Sequence, residues 1–301
     1  MIKTDKLAFR CIHRHSAESH PRCYEKYLAG DLSIKNNFTP KHNRSARILL
    51  LDIETIPGEY YAFDPHVEYL QPANQIKDWS IVCWAAKWLF DPEIFGECVS
   101  HKDAYDRSDL SILGGIWKLM DEADIIITQN GINFDIKKLN SRFIQYQIFP
   151  PARFLNVDVF RVAKAVFGFS YNRLDELGKK FGIGSKTKME FQDWKDCLTN
   201  DRAADESIHH MLDYCKRDVA PLLEDVYLNM LPYIPNHPNL NLFTIHDTEV
   251  CPKCESSDLA WNTKPYATPQ GLWMSFRCNA CGSTGRGTRK EHSIKKSGIK
   301  S

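Results

Sequence analysis

Three short stretches carry acids that could act together. In "LLLDIETIPG" an apolar run leads into Asp52, then Ile53, then Glu54. Alternate residues of a strand share a face, so the two carboxylates point the same way. Each raises the pKa of the other unless a cation lies between them, and hard divalent cations take such oxygens. The second stretch, "QNGINFD", ends in Asp135; in the third, "YCKRD", Tyr214 and Asp218 stand four apart. Four carboxylates at one place cannot all stay ionised without metal. Two divalent cations about 3.5–4 Å apart are the usual arrangement, and that pairing hydrolyses phosphate esters. Tyrosine, with a pKa of about 10, is a poor base but can hydrogen-bond a water and aim it. Taken singly, each acid reads equally as a solvated strand end or a helix cap.

A second donor set is softer. "CPKC" and "CNAC" place Cys251, Cys254, Cys278 and Cys281 in the pattern C-x2-C-x23-C-x2-C, which suits tetrahedral Zn²⁺. Trp261, Trp273 and Phe276 lie between the pairs; they read as the core of a small module or as stacking platforms for bases. Near the N-terminus, "CIHRHSAESHPRC" offers Cys11, His15, His20 and Cys23 as a second zinc set, with His13 as the alternate ligand. The competing reading is a basic, His-rich surface. Cys83, Cys98, Cys197 and Cys215 show no partner pattern and read as core residues.

Strands alternating with helices have to position the acids. Residues 48–51, 79–90 and 124–130 have the composition of buried strands, and 95–101 could pair with 79–90 as a hairpin. Helical spacing is expected over 109–123, with Asp109 or Ser108 as cap, and over 134–148. "FLNVDVFRVAKAVFG" reads as strand then helix, and "NRLDELGKKFGIG" as a helix stopped by glycine. In 205–231 apolar residues recur at helical spacing, which stacks Tyr214 and Asp218 on one face, and Pro221 should kink or restart that helix. The pattern implies an α/β domain with a mainly central sheet. The expected organisation is an N-terminal Cys/His module (1–45), a catalytic domain (46–235), a proline-rich linker (236–250), a zinc ribbon (251–284) and a basic disordered tail (285–301).

Net charge is +1 over 301 residues, but it is unevenly spread. Residues 1–47 carry +6, residues 285–301 carry +5, residues 251–284 carry +1 and residues 48–250 carry −11. Basic ends suit a polyanion and an acidic centre suits cations; ordinary solvated tails are the alternative. No apolar run approaches the ~20 residues of a membrane span, and "MIKTDKLAFRCIHRH" is too polar for a secretory signal. A cytoplasmic protein with reduced cysteines is expected.

"LDIET", "QNGINFD" and "YCKRD", in that order and 83 residues apart at their key acids, resemble the three motifs of the DEDDy 3′–5′ exonucleases. That family includes polymerase proofreading domains. The resemblance covers roughly residues 46–235. It implies a ribonuclease-H-like mixed central sheet flanked by helices, and two Mg²⁺ (or Mn²⁺) ions. Asp52 would bridge both, Glu54 and Asp218 would complete the water-activating site, Asp135 would hold the second metal and Tyr214 would orient the nucleophile. Thr55, Asn130 and Phe134 would seat the terminal nucleotide. A histidine form of the family needs His where this chain has Asp213, so His209 and His210 read as ordinary helix residues. The implied activity is 3′–5′ hydrolysis of DNA, with RNA as the alternative because the motifs read a phosphate and not the sugar. The reading from another class is a non-catalytic nucleic-acid-binding protein. The thiol pattern resembles a zinc ribbon, expected to grip substrate. Nucleic acid is the partner read, with no membrane; nothing in the sequence identifies a protein partner.

Overall fold

The computed structural model describes residues 45–290 apart from 65, 67, 186–188, 245 and 270, and Glu25 besides. Cys11, His13, His15, His20 and Cys23, and the tail 291–301, lie outside the described residues.

The chain opens with β1 (Ile48–Ile56). A small ribbon of β2 (Glu59–Tyr60) and β3 (Gln75–Lys77) follows, then the hairpin β4 (Ser80–Trp88) and β5 (Ile94–Cys98). Next come α1 (His101–Asp106), α2 (Leu110–Glu122), β6 (Ile125–Thr128), α3 (Asp135–Gln145), β7 (Leu155–Asp158) and α4 (Val159–Val166). Three more helices, α5 (Leu174–Lys180), α6 (Phe191–Asp196) and α7 (Ala203–Arg217), precede an irregular turn and α8 (Glu224–Met230). The C-terminal module is all strand: β8 (Leu259–Thr268), β9 (Gly271–Cys278) and β10 (Thr284–Lys290).

The main sheet has the order β5-β4-β1-β6-β7. β1 pairs antiparallel with β4 and parallel with β6, so the sheet is mixed. Its centre is apolar on both faces: Leu49, Leu50, Leu51, Ile81, Val82, Ile126 and Ile127 are fully buried. Side chains that apolar on both pleats need helices on both sides. α2 presents Ile112, Leu113, Ile116 and Met120, and its Ile112 carbonyl accepts the Trp84 indole N–H at 2.7 Å. α7 presents Ile208, Met211, Leu212 and Cys215.

Asp109, expected as a cap, makes no side-chain cap hydrogen bond. Its buried carboxylate accepts from the Ile81 N–H at 2.8 Å and pairs with the Arg142 guanidinium at 2.7 Å. A buried ion pair between α2 and α3 outweighs one exposed helix end. The helical region around Pro221 is divided: Ala220 takes an extended conformation (φ −145°, ψ 128°) between α7 and α8. Strand pairing also continues beyond residue 284, where a disordered tail was expected to begin. Gly285 lies opposite Phe276 in β10, where an added Cβ would lie 2.5 Å from that ring. Among the described residues no helix is long and apolar enough to cross a membrane.

Candidate functional site

The acids of β1 sit on a face stripped of bulk. Asp52 lies opposite Ala85 and Glu54 opposite Cys83; Ala85 in turn faces Gly96 and Cys83 faces Cys98. These small residues let α7 approach the sheet. A Cβ on Gly96 would lie 2.9 Å from Leu212 Cδ1 and 3.0 Å from Lys216 Cε. The approach brings the end of α7 over the acids. Asp218 keeps helical angles (φ −69°, ψ −38°) at the last position, which preserves its stack on Tyr214 one turn earlier. Carboxylate oxygens of Asp52, Glu54 and Asp218 all lie within 4.8 Å of one another. Asp218 is only 2% exposed, whereas Asp52 and Glu54 are half-buried.

Asp135 does not cap its own helix. Its Oδ1 accepts the Ile53 N–H at 3.0 Å, which pins the start of α3 to β1 between the two strand acids. It is 1% exposed. Burial first, and then the Asp52 charge, push its carboxyl well above the usual carboxylate range. It stands beside the close trio without being part of it. Hard oxygen donors, two of them buried and all mutually repelling, fit divalent cations such as Mg²⁺ or Mn²⁺.

Two contributors escaped the sequence reading. Cys215, read as a core residue, is fully buried, and its thiol donates to the Asp52 carbonyl at 3.4 Å and to Asp52 Oδ2 at 3.5 Å. Burial pushes the thiol pKa up, so it stays protonated and remains a donor. Asp158, at the end of β7, organises the "QNGIN" loop. Its Oδ1 accepts the Asn130 N–H at 2.9 Å and its Oδ2 the Ile132 N–H at 3.2 Å. It also caps α4 through the Arg161 N–H. An acid between a strand and a helix is a cap signature and could have marked Asp158; nothing in the sequence marks Cys215.

Asn130 takes a left-handed conformation (φ 63°), and Phe134, at the threshold of α3, is 36% exposed. Thr55 is half-buried just past a register shift between Glu54 and Thr55. Tyr214 and Asn130 line a cavity of about 800 Å³ together with Gln129, Tyr171, Arg173 and Trp194. The cavity therefore reaches the residue stacked on Asp218.

The C-terminal cysteines form a separate cluster. Cys251 and Cys278 start two matching turns. In each, the residue four on (Glu255 or Gly282) has positive φ and donates its N–H to the cysteine carbonyl at 2.9 Å. The two turns bring all four sulfurs within 4.8 Å. Cys251–Cys281 Sγ separation is 3.7 Å and Cys254–Cys278 is 3.6 Å. Zn–S bonds of about 2.3 Å in a tetrahedron place sulfurs about 3.8 Å apart, so the cluster could hold zinc. A disulfide would bring them to about 2.05 Å. Cys251, Cys278 and Phe276 are the module's buried core, with Leu259, Cys254 and Cys281 packed against it. Trp261 meets Phe276 edge-on at 5.6 Å and stays 38% exposed. Lys253 donates to the Leu231 and Pro232 carbonyls at 3.0 and 3.1 Å, tying the module to the turn after α8.

No protein-family model matches the chain, and no curated protein matches its sequence. Among solved structures, the family B DNA polymerase from the hyperthermophilic archaeon Pyrobaculum calidifontis is similar with a TM-score of 0.42 and 16% identity. The match covers 67% of this chain and 27% of that one, so the chain spans about a quarter of the polymerase's length.

Proposed function

We propose that the chain is a metal-dependent 3′–5′ exonuclease of ribonuclease-H-like fold that hydrolyses DNA phosphodiester bonds from the 3′ end. The observation that carries this is the convergence of Asp52, Glu54 and Asp218 within 4.8 Å from two distant parts of the chain. Asp135 adds a buried fourth carboxyl beside them. Asp52, Glu54, Asp135 and Asp218 would hold two Mg²⁺ or Mn²⁺ ions. Bound there, such ions supply charge neutralisation and water activation for phosphodiester hydrolysis.

The remaining groups bind and orient. Tyr214, which lines the cavity and stands one helical turn before Asp218, would hydrogen-bond the attacking water and fix its line of approach. Cys215 holds Asp52 from behind. Asp158 keeps the loop of Asn130 folded, so that Asn130, Phe134 and Thr55 seat the terminal nucleotide. Cys251, Cys254, Cys278 and Cys281 would hold a structural Zn²⁺, and the set at Cys11, His15, His20 and Cys23 would hold another.

A 5′-labelled DNA strand incubated with the protein and Mg²⁺ tests the reading. The expected result is a ladder shortening from the 3′ end, absent when Mg²⁺ is withheld. A matched RNA strand degraded faster than DNA would reassign the substrate. Binding without cleavage of either strand would overturn the enzyme in favour of a nucleic-acid-binding protein.

A further inference from the structure

The C-terminal sheet has two unlike faces. Directly opposite residues of neighbouring strands share a face. On one face Trp261 lies opposite Phe276 and Leu259 opposite Cys278. Phe276 and Cys278 are buried there, and a Cβ on Gly287 would lie 3.0 Å from the Trp261 ring and 3.8 Å from Glu249 Oε1. That face holds the module's buried core at Phe276 and Cys278, with Trp261 38% exposed beside it and an acid at its rim.

The other face contributes none of the module's buried core residues. Tyr266 lies opposite Trp273, Asn262 opposite Ser275 and Ala260 opposite Arg277. From β10, Arg286 lies opposite Ser275 and Thr284 opposite Arg277. Tyr266 is 45% exposed, Arg277 is exposed and Trp273 is half-buried. The Arg286 guanidinium stands 4.2 Å over the Trp273 ring. Charge is one-sided too: residues 259–290 contain Lys264, Arg277, Arg286, Arg289 and Lys290, and no Asp or Glu.

Rings interleaved with guanidinium groups on an open sheet face match an unpaired polynucleotide. Every base has a π-face that can stack on an aromatic ring, and the cations follow the phosphates. A duplex hides those base faces, and an acidic peptide would leave the rings without a partner. Building on the nuclease reading, we propose that Tyr266, Trp273, Arg277 and Arg286 form a docking surface for single-stranded DNA, separate from the carboxylates.

The test uses full-length Asp52→Asn protein without Mg²⁺ and a short fluorescein-labelled oligodeoxynucleotide, with binding read by anisotropy. Trp273→Ala should weaken binding about tenfold, the size of one lost base–aromatic stack. Arg277→Glu should weaken it comparably and flatten the salt dependence by about 0.7 in log–log slope, as for one lost phosphate contact. Arg277 is exposed and outside the module's core, so its variant decides the matter if Trp273→Ala does not fold. Unchanged binding by Arg277→Glu and by a folded Trp273→Ala overturns the surface. Tighter binding of duplex DNA, or of a matched RNA strand, overturns it as well. Because nothing is cleaved in this assay, expected binding by the Asp52→Asn protein alongside a parent protein that never cuts when given Mg²⁺ keeps the surface and loses the nuclease reading.

Discussion

The carboxylate site and the cysteine module gather metal-ligand chemistry by opposite routes. Asp52 and Asp218 stand 166 positions apart and meet because a buried five-stranded sheet and α7 hold them together. Cys251 and Cys281 are 30 apart and meet through two local turns of the same design. In the first region the core supplies the free energy that forces like charges together. In the second the buried core is little more than Phe276 and two of the cysteines themselves, so metal binding would have to supply most of the folding free energy. The acids of the first region are costly to the fold, whereas the thiols of the second would become its main support once a metal is bound.

That contrast is broken most directly at Asp52. Asp52→Ala should abolish cleavage of a labelled strand, because it removes the carboxylate proposed to hold both ions. The melting temperature should stay or rise, because the substitution relieves the repulsion that helps hold the Asp135 carboxyl above its ordinary range. Cleavage close to the parent rate, or a large fall in melting temperature, would place Asp52 among structural residues instead.

Tyr214 sharpens the same side with a smaller effect. Tyr214→Phe keeps the ring on its amphipathic helix and removes only the hydroxyl. Single-turnover rates at saturating Mg²⁺ should fall about 10²–10³-fold, as for one lost positioned hydrogen bond, with affinity little changed. Asp218→Ala, one turn on, should fall further because it removes a carboxylate from the close trio. A Tyr214→Phe enzyme as fast as the parent would leave the tyrosine a packing residue.

The smallest expected effect on cleavage lies in the other region. Cys278→Ser should lower the zinc content by one equivalent and open the module to protease, while cleavage falls only about tenfold through loss of a DNA contact. Metal analysis of protein purified without added zinc reads the first part, and limited proteolysis the second. Parent protein without zinc would refute the cysteine site. A further equivalent lost on Cys11→Ser would belong to the N-terminal set, and one that survives that change would not.

The two regions were not equally legible. The thiol pattern lies within one local segment, so spacing alone marked all four cysteines that the structure brings together. Buried strands and amphipathic helices were also readable, since alternation and helical periodicity are local properties. β4, α2, α3 and α7 fall where those patterns stood. α1, α6 and the β2–β3 ribbon were missed: they are short and carry few buried residues, so no periodicity accumulates. Asp109 looked like a cap because capping is a local signal; its ion pair with Arg142 spans 33 positions.

The sequence by itself determined the donor types, their order along the chain, and the stack of Tyr214 on Asp218, because one helical turn sets that distance. Only the tertiary structure decided that Asp218 meets Asp52 and Glu54 while Asp135 stands beside the trio, bound to the Ile53 amide. It also decided that Cys215 is the thiol behind Asp52 and that Asp158 anchors the Asn130 loop. In the C-terminal module it separated Trp261, packed on Phe276, from Trp273, turned to the opposite face under Arg286. The physical reason is the same each time. Pairing register and helix docking act between residues far apart in the chain, and a one-residue change of register would move every side chain of a strand to the other face.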